Sequence, residues 1–163
     1  MIAIYISATE KQLESFLQKS DDLLERIHLS KDDYRIDIDK AFAGLFFLLT
    51  GENYEDSIRS ENPLYWVLLA PQDIDSKQDL GNGPASYTTI KQTKELSLAL
   101  DNISEKELIL KYDPEYFNEM CIYPFDCDWD NESSDYLLWA FVKLKDFYRK
   151  ASLDGNAVIQ FFG

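Results

Sequence analysis

The chain opens on an alternation: Ile2, Ile4 and Ile6 are spaced by Ala3 and Tyr5, which predicts a buried first strand. Thr9 then forms a capping box with Gln12, and Leu13, Phe16 and Leu17 make one helical face. Apolar positions resume at Leu23, Leu24 and Ile27, so this helix either continues or restarts after Ser20. Asp37 or Asp39 can cap the next helix, from Lys40 to Thr50, and Gly51 stands where a left-handed terminator belongs. Phe42, Leu45, Phe46, Phe47, Leu48 and Leu49 make that helix apolar nearly all round, which predicts the central buried helix. The run Leu64 to Ala70, bounded by Pro63 and Pro71, fits a strand or a short helix equally well.

Further along, Gly81-Asn82-Gly83-Pro84 reads as a turn. Capping boxes at Thr89 with Gln92 and at Ser104 with Glu107 each open a helix. Tyr123 to Ser134 reads as loop. Asp135 to Leu153 is the clearest helix, with Leu137, Phe141, Leu144, Tyr148 and Ala151 as its buried stripe. Lys143, Lys145, Arg149 and Lys150 favour its negative end, and Gly155 stops it. Ala157 to Phe162 closes the chain as an apolar strand. Terminal strands with about five helices between them indicate an α+β domain, with a small mixed or antiparallel sheet. A regular βαβ alternation is missing, which argues against a doubly wound sheet.

Length fits one domain over residues 1–163, since no repeat or Pro/Gly/Ser-rich linker divides the chain. A chain of this size buries roughly two-thirds of its unfolded surface and needs no disulfide or metal to fold. The longest apolar run, Ala41 to Leu49, is far below the ~20 residues of a membrane span. No positive charge precedes the apolar start, as a secretory signal would require, so the cytoplasm is the expected address.

Several segments resemble the YfbM-like family of small uncharacterised bacterial proteins, and the resemblance spans nearly the whole chain. Its residues are Asp37-Ile38-Asp39-Lys40 with Leu48-Leu49-Thr50-Gly51; Gly81 and Gly83-Pro84-Ala85 with Tyr87; Ile122-Tyr123-Pro124; and Gly155-Asn156-Ala157. No single one is specific, whereas their order and spacing together are. The resemblance implies a single α+β domain and brings no established activity. Family members often carry histidines in the central helix, where this chain has Ala43 and Phe46. A histidine mechanism shared across the family is therefore not expected here.

Candidate chemistry is scarce. The one histidine, His28, follows an apolar run among charged residues and reads as a solvated helix end rather than a nucleophile's base. Cys121, Cys127 and His28 are the whole supply of soft ligands, too few for structural zinc. The two thiols read as small core residues or reduced surface cysteines. Asp126, Asp128, Asp130 and Glu132 alternate as calcium ligands might. An EF-hand beginning at Asp126 would, however, place Asn131 at its glycine and Leu137 at its bidentate glutamate. Gly81-x-Gly83 lacks the Gly-Lys-Ser/Thr of a P-loop, and Ser86 replaces the third glycine of a dinucleotide fingerprint. No metal, nucleotide or other cofactor is expected.

Charge changes the picture most. With 16 Lys and Arg against 30 Asp and Glu the net charge is -14, which disfavours nucleic acid and anionic membranes and suits a basic protein. From Asp101 to Asp135 there are 11 acidic residues and only two basic ones, Lys106 and Lys111. Tyr112, Tyr116, Phe117, Tyr123, Phe125, Trp129 and Tyr136 lie within or beside that stretch. The candidate binding face is Tyr116, Tyr123, Asp126, Asp128, Trp129, Asp130 and Glu132, with aromatics as anchors and carboxylates selecting the partner. The competing reading is a solvated acidic face whose aromatics point inward. Two functions follow: a binding or inhibitory protein of the immunity or antitoxin kind, or a small enzyme with a carboxylate and tyrosine pocket. No residue is singled out as catalytic.

Overall fold

The computed structural model describes residues 1–28, 34–124 and 128–163. Strand β1 (Ala3–Ala8) is followed by α1 (Glu10–Gln18), α2 (Asp21–His28), β2 (Arg35–Asp37) and α3 (Phe42–Thr50). Strands β3 (Gln72–Asp73) and β4 (Ser86–Thr88) precede α4 (Ile90–Asp101), α5 (Glu105–Leu110), α6 (Pro114–Glu119), α7 (Ser133–Leu153) and β5 (Ala157–Phe162). The architecture is α+β, as the terminal strands predict. All five strands pair antiparallel in the order β2-β1-β5-β4-β3, so both chain ends lie in the middle of the sheet.

Each face of the sheet carries a core. On one, Ala3, Tyr5 and Val158 pack with α3, α4 and α7; on the other, Ile4, Ile6, Ile159 and Phe161 pack with Leu13, Phe16 and Leu23 of α1 and α2. Two covered faces explain why β1 and β5 are apolar almost without interruption. Helix α3 is buried at every position from Phe42 to Leu49, and Gly51 ends it at φ 78, a conformation open to glycine at little cost.

The capping boxes at Thr9, Thr89 and Ser104 all form. Helices α1 and α2 are separate, which settles the restart after Ser20, and Leu17 is exposed rather than part of the buried face. The Leu64–Ala70 region begins inside a 3-10 helix, Pro63–Val67, whose first free amide bonds to the Asn62 side chain. Neither Asp37 nor Asp39 caps α3. A 3-10 turn, Asp39–Ala41, leads into that helix; Asp37 accepts the Asp39 amide, and Asp39 accepts the Tyr136 hydroxyl at 2.9 Å. Their carboxylates fix the approach to the helix instead of its first turn.

A close approach in the core is found at Gly44 of α3. A methyl group there would meet Trp129 Cη2 at 2.8 Å, Leu137 Cδ2 at 2.9 Å and Phe117 Cε1 at 3.2 Å. All three side chains are buried, so none can swing into solvent. A different constraint shapes the turn after β3. Asp79 Oδ1 accepts the amides of Gly81 at 2.9 Å and Gly83 at 3.0 Å, and these bonds hold its carboxyl below the usual carboxylate range.

Two predictions follow from these contacts. Gly44→Ala should destabilise the fold by about 1–3 kcal/mol by overpacking, against a helix-propensity gain of about 0.5–1 kcal/mol, as measured by denaturant unfolding. A stabilised variant would refute the close approach. Asp79→Ala should lower the melting temperature at neutral pH. Because Asp79 has a lower pKa folded than unfolded, its stabilisation is complete above the unfolded value and fades as pH falls through the folded one. The deficit of the variant should therefore narrow below about pH 4. A deficit independent of pH would contradict the assignment.

Candidate functional site

The acidic stretch forms a lobe of α5, α6 and the lead into α7. Asp113 caps α6 by accepting the amides of Glu115 and Tyr116, with Pro114 at the first helical position. Phe117 then points inward and meets Trp129 edge-on at 5.1 Å, Tyr112 at 5.0 Å and Phe47 of α3 at 5.2 Å. The indole of Trp129 donates to the Ile122 carbonyl at 2.9 Å. Asn118 brackets the Trp129 backbone, donating to its carbonyl and accepting its amide. Tyr112 donates its hydroxyl to the Asp130 carbonyl at 2.6 Å.

This interior divides the candidate face. Trp129 is only 5% exposed and serves as a pillar beneath the lobe rather than an anchor on it. Tyr123 is half-buried, its ring stacked on Phe42 at 5.3 Å. Tyr116 is exposed and leans on Phe47 at 5.6 Å. Asp128, Asp130 and Glu132 are exposed, whereas Asp126, with Phe125 and Cys127, lies outside the described residues. For the buried aromatics Phe117 and Trp129, the inward reading is the one realised.

The carboxylates turn outward. All ten acidic residues between Asp101 and Asp135 that are described are exposed, as are Lys106 and Lys111. Some also hold the backbone. The Ser133 hydroxyl and amide hold the Asp130 carboxyl below its ordinary value, and the Ser104 amide and hydroxyl do the same for Glu107. Both therefore stay ionised at neutral pH. Asp101 pairs with Arg149 of α7 at 2.6 Å. Glu105, Glu115, Glu119, Asp128 and Glu132 carry charge without a side-chain bond to the fold. Burial pushes the Tyr112 phenol up, so it remains a neutral donor.

Other sequence candidates take structural places. His28 is exposed at the last position of α2, and Cys121 is an exposed thiol. The amides of Gly81 and Gly83 already serve the Asp79 carboxylate, so neither is available to a phosphate. Among the described residues, no three of His, Cys, Asp and Glu cluster as metal ligands would. No described helix is long and apolar enough to cross a membrane.

One polar feature is invisible in the periodicity. Strand register aligns Ile36, Tyr5, Gln160, Ser86 and Asp73 in a single row across one sheet face. Gln160 is 4% exposed, and neither its Nε2 nor its Oε1 has a hydrogen-bond partner. It borders a cavity of about 20 Å³, together with Tyr5, Val67, Leu68, Pro84 and Ser86. Tyr5 donates its hydroxyl to the Val67 carbonyl at 2.8 Å, and burial pushes this phenol well above its ordinary value. The only hint in the sequence is a glutamine inside the apolar run Ala157 to Phe162.

The fold is similar to that of YfbM from Escherichia coli, a protein of unknown function. The two are 23% identical, each is covered over 98% of its length, and the TM-score is 0.73. No protein with a curated description matches the chain. The family model described as domain of unknown function (DUF1877) matches residues 1–161, and with nearly every element described above inside that span, the chain belongs to this family.

Proposed function

We propose that the chain is a binding protein whose acidic helical lobe docks on a basic protein surface, as an immunity or antitoxin-like inhibitor would. The observation that carries this reading is the separation within residues 101–135: every described carboxylate faces water, while Phe117 and Trp129 hold the backbone from beneath. A surface fixed in this way presents its charges without first having to be ordered, which favours tight and selective docking. Exposed Tyr116, with Leu110 and Met120 on the same stretch, supplies apolar area among the carboxylates. Sequence-wide negative charge adds long-range attraction for a basic partner. The cavity beside Gln160 has no carboxylate among its lining residues, so a carboxylate and tyrosine reaction pocket gains no support from it.

The test uses five of the carboxylates that make no side-chain bond to the fold, and leaves Asp135 in the first turn of α7 unchanged. Glu105→Gln, Glu115→Gln, Glu119→Gln, Asp128→Asn and Glu132→Gln are combined, leaving the structural roles of Glu107, Asp113 and Asp130 intact. The native chain should retain a stoichiometric basic protein from its host at roughly 0.05 M salt and release it near 0.5 M. The five-fold variant, with unchanged melting temperature, should bind that protein at least about tenfold more weakly. Equal binding by the variant, or no stoichiometric partner at low salt, would remove this function.

A further inference from the structure

We infer that the groove at the end of α3 is a site for a guanidinium group, and that the basic partner inserts an arginine side chain there. This rests on the reading of the acidic lobe as a dock for a basic protein, and names the side chain that enters. The groove holds about 340 Å³, within the ~300–1,000 Å³ usual for a ligand pocket. The last turn of α3, from Phe47 to Gly51, lines it together with Lys111 and Tyr116. It therefore lies where the acidic stretch meets the buried helix.

The helix end supplies acceptors. Carbonyls of a last turn point along the helix axis and carry partial negative charge. Gly51 donates its amide to the Phe47 carbonyl and Thr50 its hydroxyl to the Phe46 carbonyl, so those two are satisfied. The Glu52 amide, which would serve Leu48 in a continuing helix, donates instead to the Thr50 hydroxyl at 3.2 Å. Among the described residues, no donor is bonded to the carbonyls of Leu48, Leu49 or Thr50. Helix α3 also has no basic residue in its last turn. Tyr116, 46% exposed, rests on Phe47 at 5.6 Å, so its ring is braced and still open to a planar cation. A guanidinium group presents five N–H donors in one plane, which suits several acceptors and a ring better than an ammonium does. Exposed Glu52 follows Gly51, and exposed Glu115 and Glu119 share α6 with Tyr116. An anion would meet the negative helix end, and an apolar side chain would leave the carbonyls unpaired. Lys111 is the one cation lining the groove, exposed and bonded to none of these carbonyls.

The probe is N-acetyl-arginine methylamide, and the readout is the backbone amide resonances of Thr50, Gly51 and Tyr116 in the isotope-labelled full chain. Saturable shifts are expected at these three positions. The citrulline analogue keeps the shape but loses the charge, and should bind at least about tenfold more weakly. Lys111→Met removes a like charge from the rim, so it should tighten the arginine probe by about twofold or more. An anion site would respond to that variant in the opposite sense. No saturation at these amides, equal binding of the citrulline analogue, or weaker binding by Lys111→Met would each overturn the inference. The probe needs no partner, so the two readings fail separately. Saturable shifts in a chain that retains no host protein would remove the proposed function and leave the guanidinium site. A salt-released partner held equally well by native chain and Tyr116→Ala would remove the inserted arginine and leave the function.

Discussion

The structure depends on how near the buried helix α3 can come to the lead into α7. At Gly44 the helix has no side chain, and the indole of Trp129, the ring of Phe117 and the Leu137 side chain fill that gap. Any side chain at this position would hold the two segments apart. With the gap filled, the tryptophan must point inward, and its N–H finds the Ile122 carbonyl rather than water. The outward consequence concerns charge. A backbone whose aromatics are drawn toward α3 has only its polar side chains left to face solvent. The acidic surface and the aromatic interior are thus two results of one packing choice.

The sheet obeys a different constraint. Helices cover both of its faces, so its middle strands have no solvent side on which to place polar groups. Ser7, Thr88 and Gln160 are nevertheless buried in β1, β4 and β5. Asn156 donates to Ser7, and Thr88 shares a hydrogen bond with Thr93. Gln160 lacks such a neighbour, which sets it apart from Ser7 and Thr88. The lobe and the cavity therefore draw on separate parts of the fold: charge displayed over a packed aromatic base, and a neutral amide enclosed among strands.

Much of this was legible in the sequence because it rests on local rules. The terminal strands, the three capping boxes, the stop at Gly51 and the α7 stripe each depend on residues within a few positions of one another. Strands β2, β3 and β4, of 3, 2 and 3 residues, are too short to carry a period and form only because β1 and β5 pair with their neighbours. Helix α6 left a signal in Asp113-Pro114, a cap followed by the residue that suits a first helical turn. The direction of Trp129 could not be read, since it is decided by an absent side chain 85 positions earlier at Gly44. The same holds for Asp39, whose carboxylate is claimed by Tyr136, 97 residues away.

The central claim is that the acidic lobe is a firm part of the core. Hydrogen exchange at the Trp129 indole, compared with the amides shared by β1 and β5, tests this most directly. A buried pillar should exchange within about tenfold of those sheet amides, opening only when the domain opens. Exchange at the rate of an unprotected indole would mean that the lobe is loosely attached, and the account of a preformed charged surface would fail.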